Sequence, residues 1–178
     1  MIFAHDTIDG LECAAALVNT DDGEEHLGDV ATLSAFLKER GWTGRHDRDD
    51  AELRAVRALR PKLRQLWELD EDGVVELVNK LLRDARALPQ LVKHDGWDYH
   101  LHATSPSTPL ATRMAVEAAM AVLDLVRTKE LRRLCVCEYP GCERVVVDLS
   151  KNRSKRFCDG GCGNRAAVEA YRARAKRR

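Results

Sequence analysis

Two stretches near the end of the chain, Leu134-Cys-Val-Cys-Glu-Tyr-Pro-Gly-Cys142 and Arg156-Phe-Cys-Asp-Gly-Gly-Cys-Gly-Asn-Arg165, decide the fold of this region. They contain cysteines in two close pairs, separated by enough chain for a hairpin. Thiolates on two tight turns can meet around one ion with the tetrahedral geometry that structural zinc requires. The spacing therefore predicts one structural zinc per chain, with four ligands: Cys137, Cys142, Cys158 and Cys162.

Glycines adjoin these cysteines, since Gly141 precedes the second ligand and Gly160 and Gly161 precede the fourth. Glycine adopts the positive φ values that a turn around a metal demands, so the glycines agree with the cysteines. Cys135 leaves an ambiguity, because residues two apart on a strand point to the same side. We favour Cys137 because its spacing to the next cysteine is the more natural turn length, and Cys135 stays the alternative.

Other interpretations of the cysteines are weaker. Disulfides form in oxidising compartments, and the start of the chain lacks the basic residues and long apolar run of a signal peptide. An iron–sulfur cluster also takes four cysteines, but the basic flanks of this segment favour zinc. No stretch approaches the roughly 20 apolar residues of a membrane span. We therefore expect a cytoplasmic protein with reduced thiols and no membrane contact.

The residues Cys162-Gly-Asn-Arg165, with the basic stretch before them, resemble the CGNR zinc finger, a family named for these four letters. That family typically follows an N-terminal, mostly helical domain called ABATE, described as a stress-induced transcription regulator. A weaker similarity to ABATE rests on Leu17-Val-Asn-Thr20 and Leu33-Ser-Ala-Phe-Leu37. The resemblance implies a regulator with two domains.

Charge divides the chain in the same place. Residues 1–130 hold 16 Lys and Arg against 24 Asp and Glu, a net −8, whereas residues 131–178 hold 13 against 5, a net +8. Four thiolates around one Zn²⁺ lower the second value by two units, and the surface that remains is cationic and suits a phosphate backbone. We expect an acidic helical ABATE-like domain over residues 1–130 and a basic CGNR-type finger over residues 131–178.

Hydrophobic periodicity predicts that the first domain is mainly α-helical. Apolar residues recur at helical spacing in five segments, residues 5–19, 30–40, 50–67, 74–88 and 108–126. Asp29 and Asp70 are expected to cap their helices, and Pro61 is expected to kink or split the third helix. His5, Asp6 and Asn19 are interpreted as caps of the first helix, although they also lie where they could line a pocket.

The dipeptide Asp95-Gly96, flanked by alternating residues, predicts a small β-hairpin in the helical domain. Alternation turns every second residue toward the core, namely Trp97, Tyr99 and Leu101. His100 and His102 then face solvent, or they form a metal or ligand site with His94. No nucleophile motif, phosphate-binding glycine loop or paired carboxylates stand out, so the sequence does not indicate an enzyme.

In the finger, residues 144–148 and 155–158 are predicted to pair as strands around the turn 150–154, and a helix starts at Cys162. Knuckle, β-hairpin and helix together resemble a treble clef. No Gly-, Pro- or Ser-rich linker precedes the finger, so the long helix before it is expected to hold it semi-rigidly.

The basic residues of the finger predict nucleic-acid binding. Five of them are expected to contact phosphates, namely Arg153, Lys155, Arg156, Arg172 and Arg174. Asn164 and Arg165 are residue types that read base edges, although Asn164 alternatively caps the helix. We predict a DNA-binding transcription regulator whose N-terminal domain senses a small-molecule ligand or forms a homodimer. The alternatives are an RNA-binding protein and a protein-interaction adaptor.

Overall fold

A computed structural model describes residues 3–93 and 98–176 of the chain. Its elements follow in the order α1 (His5–Val18), α2 (Val30–Glu39), α3 (Asp50–Arg64), α4 (Glu71–Asp84), β1 (Gln90–Val92), β2 (His100–His102), α5 (Leu110–Arg127), β3 (Leu134–Val136), β4 (Val145–Val147) and α6 (Cys162–Ala175). The strands form two antiparallel pairs, β1 with β2 and β3 with β4. The predicted fold class, a mainly α protein with a small hairpin and a C-terminal zinc finger, is confirmed.

The long helix α5 is the centre of the hydrophobic core, and α1, α3 and α4 pack around it. Its residues Val122 and Leu125 are fully buried, as is Leu11 of α1. The two helices cross closely at Gly10, where an added Cβ would lie 2.9 Å from the Cβ of Ala121. A side chain at this position would push α1 away from α5, so the close crossing depends on glycine.

Aspartates begin three of the helices by accepting a hydrogen bond from a backbone N–H of the first turn. Asp29 and Asp70 do so as predicted, and Asp49 caps α3. Of the two effects predicted for Pro61, a kink or a split, the split is wrong. The helix continues to Arg64 because its apolar stripe on both sides of the proline is buried in the core.

The first hairpin is present, with Leu91 opposite Leu101, but its predicted orientation is wrong. Tyr99 is 69 % exposed and Leu101 is also exposed, whereas His100 and His102 are half-buried and line a cavity. The carboxylate of Asp6 accepts the N–H of Leu101 at 2.9 Å, which fixes the hairpin beside α1 with its histidines inward. The predicted turn at 95–96, with His94 and Trp97, lies outside the described residues.

The pairing predicted within the finger is also wrong, because β4 pairs with β3 and not with residues 155–158. The carboxylate of Asp148 accepts the backbone N–H groups of Ser150 and Lys155, at 2.9 and 3.0 Å, and so closes this loop on itself. Residues 155–158 run instead beside the cysteine knuckle, where the carbonyl of Arg156 accepts the N–H of Glu138.

Strand β4 packs directly into the helical core. Val145 and Val147 are buried there, and the indole N–H of Trp67 donates to the carbonyl of Val146 at 3.0 Å. The side-chain amide of Asn19 bonds both the N–H and the carbonyl of Val145, at 2.8 and 2.9 Å. Asn19 is the C-cap residue of α1, as predicted, and its side chain also holds the finger. These contacts cross the boundary expected between residues 130 and 131, and the division into two domains stays a prediction.

Candidate functional site

Four cysteine thiols converge at the start of α6. The sulfurs of Cys137, Cys142, Cys158 and Cys162 all lie within 4.8 Å of one another. A tetrahedron with zinc–sulfur bonds of about 2.3 Å has sulfur–sulfur edges of about 3.8 Å. The structure has 3.8 Å between Cys142 and Cys158 and 3.5 Å between Cys158 and Cys162. The donor set and its spacing therefore fit a tetrahedral zinc ion.

Neighbouring N–H groups favour the thiolate form of Cys137, whereas burial raises the pKa of Cys142 and of Cys158. Burial opposes ionisation of Cys137, but hydrogen bonds from the N–H groups of Cys158 and Tyr139 outweigh it and lower the pKa of Cys137 to about 7. The guanidinium of Arg165 donates to the sulfur of Cys162 at 2.8 Å. Such contacts orient metal ligands and stabilise their negative charge.

Cys135 lies apart from the cluster, because its sulfur faces the carbonyls of Arg133 and Val146 at 3.9 Å. Burial is the largest cause that raises the pKa of this thiol, which keeps it protonated. The structure thus places Cys137 in the cluster and Cys135 outside it, as the turn length predicted.

The glycines near the cysteines act in two ways. Gly141 and Gly161 have positive φ values of 75° and 81°, which permit the tight turns before the second and fourth cysteines. Gly160 has another role: an added Cβ would lie 2.6 Å from Nη1 of Arg144. The missing side chain leaves room for this guanidinium, which also pairs with Asp22 of the helical part.

The basic residues around the turn 150–154 are paired with acids. Their ion pairs join Arg153 to Glu130, Lys155 to Asp159 and Arg156 to Glu138. The three basic side chains are 42 %, 37 % and 64 % exposed, so solvent weakens these pairs. A phosphate group can therefore replace the carboxylate at little cost in free energy.

Helix α6 leaves the metal site and projects into solvent. Beyond Cys162 none of its described side chains is buried, and Val168 and Tyr171 are 48 % and 68 % exposed. Arg172 and Arg174 are exposed, and among the described residues no ion pair involves them. The N-cap residue of α6 is Gly161, and no side chain caps the helix. Asn164 therefore does not cap it, and the side-chain amide of Asn164 stays accessible.

Arg165 connects this helix to the knuckle. Its guanidinium contacts Cys162 and lies 4.9 Å over the ring of Tyr139, whose hydroxyl donates to Glu169 at 2.6 Å. Arg165 as a whole is exposed to solvent. The residue therefore supports the metal site and can still donate to a ligand outside it.

A second candidate site lies between α1 and α5. It is a partly open cavity of about 510 Å³, bordered by the segment after α2 and by the inner face of β2. This volume is within the range of small-molecule sites. Asp6, His100 and His102, which sequence analysis considered as pocket residues, all line it, and Nε2 of His100 lies 3.0 Å from Nε2 of His102.

Glu117 is the main residue of this cavity that sequence analysis missed. Burial raises the pKa of its carboxyl to about 7, while Arg113 lowers it and Asp9 raises it further. Within the described residues no hydrogen bond or ion pair reaches this carboxyl. The signal was a single acid in the apolar run Met114-Ala-Val-Glu-Ala-Ala-Met-Ala-Val122, which periodicity alone treats as helix surface.

We expect Glu117→Gln to flatten the dependence of stability on pH. The folded pKa of about 7 exceeds the ordinary 4.5, so the folded protein binds this proton more tightly and loses stability as pH rises from 4.5 to 7. The full shift corresponds to about 3 kcal/mol, and we expect about 2 kcal/mol because the carboxyl faces a cavity. Urea unfolding of both proteins at pH 5 and pH 8 measures the difference. Equal pH dependence in the two proteins would contradict the buried state of Glu117.

The fold and the site together define a class: a helical domain fused to a zinc finger whose basic helix is exposed. Known protein families match the same two parts of the chain, in the same order. Residues 11–129 match ABATE, described as "putative stress-induced transcription regulator", and residues 133–175 match the CGNR zinc finger. The chain belongs to the ABATE family and carries a CGNR zinc finger with one structural zinc.

Two further findings bear on function. A search among curated proteins gives no match to the chain. In the described residues, no helix combines the length and the apolar character needed to cross a membrane. The families matched are of regulator and zinc-finger type and not of enzyme type.

Proposed function

We propose that the protein is a cytoplasmic, DNA-binding transcription regulator. Its finger binds duplex DNA, and its helical domain senses a signal. The observation that carries the proposal is α6, a basic helix that no other described element covers. An α-helix fits the major groove of B-DNA, where base edges can be distinguished. The family description supports the regulatory role.

Helix α6 and the turn 150–154 supply complementary contacts. Arg172 and Arg174, together with Arg153, Lys155 and Arg156, would bind phosphates and set the register of the finger on the duplex. Asn164 and Arg165 lie in the first turn of α6, where a helix end enters the groove, and would read adenine and guanine edges. Zinc would hold the turn and the helix near each other, because Cys158 follows the turn and Cys162 begins the helix.

Neutralising Arg172 and Arg174 together, as Arg172→Gln with Arg174→Gln, should weaken binding to all DNA sequences alike. The logarithm of affinity should fall linearly with the logarithm of salt, and the double variant should reduce the slope by about two units, since each phosphate contact contributes roughly −0.9. Fluorescence anisotropy of a labelled duplex at several salt concentrations measures both slopes.

The matched control is Arg54→Gln with Arg127→Gln, which removes the same charge from exposed arginines of the helical part. This variant should keep the parent slope. Equal slopes for all three proteins would disprove phosphate contact by α6, and binding that does not respond to salt would favour the adaptor function.

RNA is the second candidate, because a basic helix on a zinc module also binds structured RNA. The exposed Tyr171 of α6 provides an aromatic surface on which an unpaired base can stack. Comparing a duplex DNA with an RNA hairpin at one salt concentration separates the two. A clear preference for RNA would replace the DNA proposal.

The helical domain is proposed to sense a ligand or to form a homodimer. The cavity between α1 and α5 supports sensing, because its size suits a small molecule. A homodimer would have a candidate surface on the first hairpin, where Leu91, Tyr99 and Leu101 are exposed. We favour sensing, since the half-buried carboxyl group of Glu117 lines this cavity and has no hydrogen bond or ion pair within the described residues.

A further inference from the structure

We propose that the cavity between α1 and α5 binds an organic cation, a molecule with an apolar body and a protonated amine that pairs with the carboxylate of Glu117. The proposal rests on the sensing role proposed above and names the chemical class of the signal. Binding of the cation can nevertheless be measured without nucleic acid, so the two proposals can fail separately.

The charges that line the cavity favour a cation. Four carboxylates, those of Asp6, Asp9, Glu117 and Asp124, face two guanidiniums. Three of these acids already have partners: Asp6 accepts the N–H of Leu101, Asp9 pairs with His5, and Asp124 accepts the hydroxyl of Thr7 at 2.7 Å. Glu117 alone of the four has neither a hydrogen bond nor an ion pair within the described residues.

An unpaired carboxylate in a buried place is costly, because burial removes water without supplying a partner. Burial is also the main cause that raises the pKa of Glu117 to about 7. An ammonium group from a ligand would supply both the missing charge and the missing hydrogen-bond donor. Glu117 lies in the middle of α5, so a rigid helix holds its carboxyl in position.

The arginines of the cavity do not form an anion site. The guanidinium of Arg113 donates to the backbone carbonyls of Thr43, Arg45 and Thr108. These three hydrogen bonds occupy N–H groups of the guanidinium, which fixes the wall of the cavity. The other guanidinium, on Arg40, is at the exposed end of α2, where it lies 3.5 Å from Glu39.

A metal ion fits the cavity less well than an amine. His100 and His102 bring two imidazole nitrogens together, but a stable site usually needs three or four ligands. In the part of the chain that the structure describes, the cysteine cluster is the only group of three or more metal-binding side chains. The histidine pair instead adds two polar side chains to the lining of the cavity.

Apolar side chains from several elements also line the cavity and suit the body of the ligand. Val116 and Met120 come from α5, Trp42 comes from the segment after α2, and Ala103 follows β2. Small-molecule sites are mostly apolar, with a few polar groups that fix orientation. A flexible methionine and an aromatic ring accept a flat or irregular apolar group. The ligand is therefore amphipathic and is not a simple inorganic cation.

The cavity is also connected to the finger. Helix α1 lines it with Asp6, Asp9 and Gly10, and the residue that follows this helix, Asn19, holds Val145 of β4 through two hydrogen bonds. A ligand that moves α1 would therefore act directly on the strand beside the metal site. This contiguous contact makes the cavity a suitable place for a signal.

Dansylcadaverine is the probe, because it joins an aromatic fluorophore to a protonated primary amine. It should bind the full, zinc-loaded chain saturably, with one molecule per chain and an increase in fluorescence. Its N-acetyl derivative has nearly the same body without the charge and should bind at least about tenfold more weakly. Glu117→Gln should lower the affinity for the amine by a similar factor, since a charge-assisted hydrogen bond is lost.

The matched control is Glu76→Gln, an exposed acid of α4 outside the cavity, which should leave the affinity unchanged. Met120→Trp should fill the cavity and weaken both probes, which locates the bound fluorophore even if Glu117→Gln does not fold. Absence of saturable binding, equal affinity for the amine and its acetyl derivative, or full affinity in a folded Glu117→Gln protein would each overturn the proposal. DNA binding plays no part in these outcomes.

Discussion

Replacing Cys158 with serine should abolish stoichiometric zinc binding and unfold the C-terminal part of the finger. Cys158 is buried in the middle of the cluster, with sulfurs of Cys142 and Cys162 at 3.8 and 3.5 Å. Structural zinc contributes on the order of 10–16 kcal/mol to the folding of small fingers, which makes this the largest effect that we expect. Zinc content per chain, measured by mass spectrometry of metals, checks the loss.

The extent of unfolding follows from the tertiary contacts. Residues 155–176 depend on the metal, because the described side chains of α6 beyond Cys162 are not buried in any core. Strand β4 should stay folded, since Val145 and Val147 are buried in the helical core and Trp67 and Asn19 hold its backbone. Hydrogen exchange should therefore increase across α6 while the Val145 amide keeps its protection.

Cys135→Ser is the matched control, because it removes a thiol of the same finger that lies outside the cluster. This variant should keep one zinc per chain. Loss of zinc from the Cys135 variant together with retention by a Cys137→Ser variant would show that our ligand set is wrong.

Replacing Arg133 with methionine should destabilise the protein by about 3 kcal/mol, because the carbonyl groups that accept hydrogen bonds from this buried guanidinium lose their donor. Arg133 is 2 % exposed, and it pairs with Glu130 at 2.8 Å. Its Nη1 also donates to the carbonyls of Asp148 and Ser150, at 2.7 and 3.0 Å. The side chain thus ties the end of the helical domain to the loop after β4, and its removal leaves several buried polar groups unpaired.

The neighbouring arginine provides the control. Arg132 pairs with the same glutamate but is 62 % exposed, so Arg132→Met should cost less than about 1 kcal/mol. Urea unfolding of the zinc-loaded proteins compares the two variants at equal charge. Similar losses for both would show that Arg133 does not join the two parts of the chain.

Several features of the protein could be predicted because they depend on neighbours in sequence. Cysteine spacing and the adjacent glycines predicted which four thiols come together, since a turn of a few residues leaves the chain few alternatives. Periodicity predicted α1, α2 and α5, because each has one apolar stripe. Asp29 and Asp70 cap the first turns of α2 and α4, so these caps could be predicted from the sequence as well.

Contacts between distant segments were not predictable in the same way. Strand β4 pairs with β3 and not with residues 155–158. The carboxylate of Asp148 closes the loop after β4, which prevents a hairpin between β4 and residues 155–158. The orientation of His100 and His102 was decided by Asp6, ninety-five residues before its partner Leu101. Alternation gives the two faces of a strand, but only the packing decides which face is turned inward.

The sequence by itself determined a zinc-binding, basic finger behind an acidic helical domain, because cysteine spacing, charge and periodicity are local properties of the chain. Only the tertiary structure decided that β4 belongs to the helical core and that Glu117 faces a cavity. Periodicity assigns an acid on a helix to the solvent-exposed face, and only the elements packed around the helix show that it lines a cavity. Its environment is set by α1 and β2, which reach Glu117 from distant parts of the chain.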